Sequence, residues 1–380
     1  FLDDILRFVR ILAADVVKTK LVKILFTITL LFHLVILLIQ IGFHFCVLNF
    51  EDFIKFGPIF FSMFYIVLNI TCLLYDGDMV VKAFQEFKPW AIDSVGTKVL
   101  KKIETEALYT SIYVAFNLIM SLIAAILHFI PAKCDEDIFF AFYLFHRWFP
   151  SYGFVFNWLY RSTFFVLGFA MITCGHQFIY GIQQAKFQIY LLMHCVRRIT
   201  DIEQYNSVKD CELLKNQDFQ NEVENRLKFC VKRHIEMLHG GRWGMRILQK
   251  WIPLFSINGV LYIVSAIFFC VSYGEALKDL YPRLGMLGII STAMFCVIIS
   301  MGQSVENESD IILETNAQIR WCSLNRRNLK IFMILSIVSK YPYRISFTQN
   351  VSVNYELGVK IVKFVYSGLC FLVRLKGVLY

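Results

Sequence analysis

This chain of 380 residues predicts an all-α, polytopic membrane protein: seven transmembrane helices, a cytosolic N-terminus and a helical cytosolic anchor layer. Three observations carry that fold class. The composition is 57% hydrophobic and 16% aromatic, with a mean hydropathy of +0.58, against ~45–50% apolar content in soluble domains. Seven apolar runs, at 24–48, 56–75, 107–130, 153–182, 251–273, 284–301 and 352–375, are long enough to span a bilayer core at ~1.5 Å per helical residue. Of the 38 Lys and Arg, 28 fall in the N-terminal segment and the second, fourth and sixth loops, and seven in the alternate loops and tail. Positive charge is retained in the cytosol, so the N-terminus is expected inside and, after an odd number of spans, the C-terminus outside.

Taken in order, residues 1–23 alternate charged and apolar residues with no short apolar stretch ending in small residues, so no removable signal peptide is expected. The first span carries His33, Gln40 and His44, and the fourth carries His176 and Gln177; interhelical hydrogen bonds are favoured over an ion path for both sets. Between the third and fourth spans lies an acidic cluster, Asp135, Glu136 and Asp137, then the aromatic run FFAFYLFHRWFP. The cluster is expected to enrich cations near the outer mouth, and the aromatic run to fold back over the bundle as a lid. The fourth span is expected to continue inward through QQAKFQIYLLMHCVRRI, which has no Gly or Pro break. Phe219, Val223, Leu227, Val231, Ile235 and Leu238 then recur every three or four residues, predicting an amphipathic cytosolic helix. Further cytosolic helices are expected at 304–321 and 329–338, the latter stopped by Pro342. Such helices need a partner surface, which points to oligomerisation through this layer.

The last run, 352–375, differs in kind from the others. It carries Asn354, Glu356, Lys360 and Lys363 in its first half, is uncharged over 364–373, and then meets Arg374 and Lys376. Ionisable groups at that depth face protein or water rather than lipid. A pore wall closed by an apolar constriction fits this pattern, and so does a terminal anchor with snorkelling lysines. The segments are therefore 1–182 (spans 1 to 4), 183–250 (cytosolic extension), 251–301 (spans 5 and 6), 302–345 (cytosolic anchor helices) and 346–380 (last helix and tail).

Catalytic chemistry is not indicated. The sequence holds no GxSxG, P-loop, HExxH or GxGxxG followed by an acidic residue, so no enzyme activity and no cofactor are expected. Eleven cysteines occur without a CxxC pair, against a zinc site or disulfide framework. Cys230, His234 and His239 are too few for a closed metal site. The net charge of +9 is explained by loop topology, and no nucleic-acid partner is expected.

With the N-terminus inside, the outer halves of the middle spans bring together Phe60, Phe61, Phe64 and Tyr65; Asn117, Ser121 and Ile123; Phe156, Tyr160 and Phe164; and Met286, Ile289 and Ile290. Apolar and aromatic walls with a few hydroxyls or amides suit a small apolar ligand. Aromatics at helical spacing filling a bundle core is the competing reading.

Three stretches, RLKFCVKRH (226–234), SMGQSVENESDIILETNAQIRW (300–321) and LKIFMILSIVSKYPYRISF followed by VYSGLCFLVRL, resemble segments of the insect odorant receptors, ligand-gated cation channels related to the insect gustatory receptors. The second resembles that family's exit from the sixth span, with its G-Q, E-S and closing W. The first is similar to its L-x-x-C-x-x-x-H pattern, and the third to its divided seventh segment. Gustatory members end in T-Y, five apolar residues and Q-F, as does the shared odorant co-receptor in similar form. Here Ser367 and Gly368, LCFLV, then Arg374 and Leu375 keep the spacing and change its ends. The fourth loop is also shorter than expected of the co-receptor. The resemblance implies a ligand-tuning subunit in the plasma membrane of a sensory dendrite, in contact with membrane lipid. It would form a hetero-tetramer with the odorant co-receptor and be gated by a small volatile ligand. Ser367, Phe371, Arg374 and Leu375 would lie at the pore and gate. The alternatives are a gustatory-type channel; a G-protein-coupled receptor, which the charge asymmetry disfavours; and a transporter, for which no inverted repeat is seen.

Overall fold

The chain's structure, a computed structural model, is described for residues 4–47, 50–77, 90, 96–132, 135–273, 280–348 and 351–379. Its main helices are α1 (Lys20–Val47), α2 (Phe50–Asp76), α3 (Thr97–Phe129), α4 (Phe140–Trp148), α5 (Gly153–Ser162), α6 (Phe164–Arg197), α7 (Gln217–Tyr273), α8 (Tyr281–Ala317), α9 (Arg326–Ser339) and α10 (Tyr355–Leu379). A two-stranded antiparallel hairpin, β1 (Ser346–Thr348) and β2 (Val351–Ser352), precedes α10, with Ser346 opposite Ser352. Among the described residues six segments are long and apolar enough to cross a membrane: α1, α2, α3, α5 with α6, the last part of α7, and α8. α10 is not one of them, because Glu356, Lys360, Lys363 and Arg374 dilute its apolar run.

α6 is the central post. It is buried on nearly every side, from Leu167 to Val196, as expected of a helix apolar all round, and it packs against α2, α3, α7 and α8. The continuation of the fourth span past residue 182 is present as expected, because nothing in 183–197 breaks the helix. Two other boundaries differ from the sequence reading. The amphipathic helix and the fifth span are one helix of 57 residues, α7, and the sixth span runs through 302 into the anchor helix as α8. The glycines at 240, 241 and 244 each penalise a helix by only ~1 kcal/mol and do not forbid it, so the segment limits at 250/251 and 301/302 fall inside continuous helices.

The first half of α7 and α9 form the polar-ended layer. Leu227, Cys230 and His234, one stripe of α7, are buried, and His234 Nδ1 meets Ser339 Oγ of α9 at 3.4 Å. His239 is exposed, and the described residues hold no cluster of three metal-ligating side chains. Burial pushes the Cys230 thiol up to about 12 and the His234 imidazole down to about 4, so both are neutral packing groups at neutral pH. Asn325 caps α9 by accepting from Asn328 N at 2.9 Å. The Gln220 side chain of α7 donates to Leu213 O and Ser323 O and accepts from Asn325 N, which ties the layer together.

Candidate functional site

Among the described residues, two cavities within the bundle share a wall. The smaller, about 40 Å³, is enclosed by α2, α3, α6 and α8 with Phe139 beside α4; Ser62, Ser121, His128, Phe164 and Gly168 line it. The larger, about 400 Å³, lies among α2, α6, α7, α8 and α10, and is lined by Tyr65, Phe178, Tyr262, Ile290, Leu357 and Ile361 among others. Ser62, Met171 and Leu287 belong to both linings and form the partition. Small-molecule sites usually occupy ~300–1,000 Å³, so only the larger is ligand-sized as it stands; the smaller admits a ligand only when its side chains move.

The end of the bundle away from the α7–α9 layer is sealed by aromatics and one buried ionic knot. Phe139, Phe140, Phe142 and Phe145 are buried, so α4 folds down onto the bundle as the aromatic run led us to expect. Tyr160 sits among them, its ring 4.9 Å from His33, 5.3 Å from Phe142 and 5.4 Å from Phe164, centroid to centroid. The expected acidic cluster is dispersed. Asp135 is 3% exposed and accepts from both Arg161 of α5 and Arg283 of α8. Asp137 pairs with Lys55 at 2.7 Å, which leaves Glu136 as the exposed member without an ion-pair partner among the described residues. Arg161 also donates to the carbonyls of His128, Phe129 and Ile130, capping α3. A buried carboxylate is retained only when paired, so Asp135 joins three chain segments instead of attracting cations.

The stretch 300–321 forms the seat of α10. Gly302 leaves room for the Val353 carbonyl. Gln303 Oε1 accepts from Tyr355 N at 3.2 Å, and Glu306 accepts from Asn354 Nδ2 at 3.1 Å and pairs with Arg344 at 3.0 Å. Ser309 Oγ accepts from Tyr343 N at 2.7 Å. Asn354 itself caps α10 by accepting from Leu357 N at 3.1 Å. Four residues of one helix thus hold both ends of the hairpin and the start of α10.

The expected ligand residues separate. Ser121 and Phe164 line the smaller cavity, and Tyr65 and Ile290 the larger. Phe60, Phe61 and Phe64 pack on one another and on His44 and Phe53; Phe156 packs on Phe145 and Phe149. Asn117 Oδ1 accepts from His176 Nε2 at 3.2 Å, and His33 Nε2 is 2.8 Å from Thr163 Oγ1. Met286 is partly buried against the core, and Ile289 and Ile123 are exposed on the bundle surface. In α10, Ser367, Phe371 and Arg374 are exposed, and the Leu375 side chain lies outside the described residues. Tyr355, Val359, Val362 and Tyr366 along one strip of α10, and Phe364 and Phe371 on its other side, are exposed in the single chain. The sequence reading missed Ser62, Met171, Leu287 and Tyr262, which are ordinary core residue types, and the roles of Gly302, Gln303, Glu306 and Ser309. The G-Q and E-S spacing in 300–321 was the one signal for the latter group.

No protein-family model and no curated protein matches the sequence. Among solved structures, the insect olfactory receptor OR5 from Machilis hrabei matches with a TM-score of 0.64 and 10% identity over 98% of this chain and 97% of that one. The same receptor in complex with eugenol matches with a TM-score of 0.63, 10% identity and the same coverage. Both are receptors rather than enzymes. At that identity the likeness is one of architecture, and it extends from the first span through α10: this chain is a multi-pass membrane protein with the insect olfactory receptor fold.

Proposed function

We propose that this chain is a member of the insect odorant receptor family and acts as a ligand-tuning subunit of an odorant-gated, non-selective cation channel. A small volatile molecule binds among α2, α3, α6 and α8, at the smaller cavity, and favours the arrangement in which that cavity is enlarged. Only a difference in affinity between two arrangements shifts their populations. The movement reaches α10 through α8, which lines the cavity at Leu287 and seats α10 at Gln303 and Glu306. Four α10 helices, contributed by this chain and the odorant co-receptor, surround the pore, with Phe371, Arg374 and Leu375 at its narrow outer end.

The observation that carries this reading is the fold likeness over nearly the whole of both chains. The exposed Lys360, Lys363 and Arg374 of α10 support a place around water or protein in an assembly, since ionisable groups in a membrane helix face those and not lipid. The loop charges support an inward N-terminus and an outward C-terminus. Because the walls are mostly apolar, discrimination between homologous ligands is expected at about 1–3 kcal/mol per methylene.

The test is current through an excised inside-out patch without GTP, from cells expressing this chain with and without the co-receptor. Esters, alcohols, terpenes and aromatics are applied from the pipette. Current that requires the co-receptor supports the full reading, and current from this chain alone removes the tuning-subunit part. A silent patch with a GTP-dependent response in intact cells overturns it.

A further inference from the structure

The larger cavity is not accounted for by the pocket just proposed, because two of its walls are α7 and α10. Among the described residues no charged side chain lines it. One polar group in its wall is out of balance: Tyr262 is 6% exposed, and its hydroxyl has no hydrogen-bond partner among the described residues. A buried donor left unmade is unfavourable by about 1–3 kcal/mol, so an arrangement that keeps one beside an empty volume favours whatever supplies an acceptor there.

We propose that this cavity is a second binding site, for a small neutral molecule with an apolar body and one acceptor oxygen, such as a ketone, aldehyde or ester. The body lies against Phe178, Ile290 and Ile361, and the oxygen accepts from Tyr262 Oη once a turn of that side chain brings the covered hydroxyl to the cavity surface. The uncharged lining disfavours ions and zwitterions, whose desolvation the few hydroxyls of the wall would not offset. Depth argues against a phospholipid as the partner of Tyr262, although the cavity itself extends to the end of the span at Ile252. The span holding Tyr262 runs from Lys250 to Tyr273, which puts Tyr262 roughly 18 Å along the helix, near the middle of a ~30 Å hydrocarbon core. A phospholipid keeps its ester oxygens at the interface, so at this depth it offers Tyr262 only hydrocarbon.

Position gives the site its consequence. Leu357, Ile361 and Val365 of α10 are part of its wall, so an occupant touches the last helix directly. Ser62, Met171 and Leu287 separate it from the smaller cavity, so occupancy of either site is felt at the same three side chains.

The experiment is photolabelling of the purified full chain in nanodiscs, with the labelled residues mapped by mass spectrometry. The probe is an eight-carbon aliphatic ketone carrying a diazirine, competed with 2-octanone or with octane. Labels are expected on α7 and α10 around Val260, Tyr262 and Val365. Gly259→Phe fills the cavity from a position where an added Cβ meets nothing within 4 Å, so it should fold and lose these labels. Tyr262→Phe should weaken competition by 2-octanone about three- to tenfold, the worth of one net hydrogen bond, and leave octane unchanged. The site is overturned if Gly259→Phe labels like the parent, if labels fall only around Ser121 and Phe164, or if a diazirine-bearing phosphatidylcholine labels the same residues and 2-octanone does not displace it. Equal loss of octane and 2-octanone competition in Tyr262→Phe overturns the acceptor assignment. None of these readouts needs channel activity, so failure here and failure of the proposed function are separable.

Discussion

Gly302 of α8 lies directly under the Val353 carbonyl at the entrance to α10: a Cβ at Gly302 would overlap that oxygen and stand 3.1 Å from Val353 Cγ1. No side chain fits there unless the backbone leading into α10 moves. Gly302→Ala should therefore destabilise the fold by more than 1 kcal/mol, although alanine is the better helix former by about 1 kcal/mol. Gly285 and Gly288 of the same helix have open space around the same point, so Ala there should be neutral or stabilising by about 0.5–1 kcal/mol. Thermal unfolding of the three purified variants decides it; equal behaviour of the three would mean that α10 is not held by this contact.

A second prediction concerns the ionic knot. Asp135→Asn removes the charge that Arg161 and Arg283 share and leaves two buried guanidinium groups without a counter-ion. Breaking a buried pair is unfavourable by about 3–5 kcal/mol. Glu136→Gln, one residue along and exposed, should be silent, and Asp137→Asn should lose at most about 1 kcal/mol with its exposed Lys55 pair. Unfolding midpoints of the three variants check this. A large effect at Glu136 with none at Asp135 would restore the reading of the cluster as a cation-attracting patch.

The third prediction is a pH dependence. The His234 imidazole is buried, and burial holds it at about 4, below the ordinary value of 6.5. The unfolded chain binds a proton there between those values and the folded chain does not, so stability rises with pH across the window. The contribution is full above about 6.5 and is lost as pH falls towards 4. Its size is about 3 kcal/mol, at 1.36 kcal/mol per pKa unit. His234→Gln should flatten the unfolding midpoint between pH 6.5 and 4 relative to the parent. An unchanged slope would place the pH dependence elsewhere.

What could be read from the sequence follows from how each feature is encoded. The extended fourth span and the first turns of the amphipathic helix were legible, because an unbroken run and a 3.6-residue apolar period state them outright, as at Phe219, Val223 and Leu227, which are buried; further along the same stripe Val231 is only partly buried and Ile235 is exposed, and Cys230 and His234 are buried instead. The union of the amphipathic helix with the fifth span was not, because glycines weaken a helix without ending it. The short hairpin before α10 was not either: five strand residues carry no period, and the residues that hold its flanks, Ser309 at Tyr343 and Gln303 at Tyr355, lie 34 and 52 residues away. Asp135 illustrates the general difficulty. Its neighbours in sequence are acidic, its neighbours in space are Arg161 and Arg283, and only the second set fixes its role. The cavity linings are hidden for a similar reason: Met171, Leu287 and Tyr262 are the same residue types as the packed core around them.

The last prediction tests the pore reading at Arg374, exposed near the C-terminal end of α10 and three residues beyond Phe371. Where the resemblance places glutamine, this chain places a permanent positive charge. In a tetramer of this chain alone, four such groups at ~5 Å from a passing cation would each repel it by roughly 0.8 kcal/mol even in water. Together they add about 3 kcal/mol to the barrier, about a hundredfold in rate. Arg374→Gln should raise single-channel cation conductance of the homomer steeply. Assemblies with the co-receptor carry fewer of these charges and should gain less. Raising the salt should narrow the gap between variant and parent, because mobile ions screen charges over ~8 Å at physiological strength and less above it. If both homomeric and mixed currents are unchanged by the substitution, Arg374 turns outward to headgroups as a snorkelling side chain, and α10 is not charged at the gate.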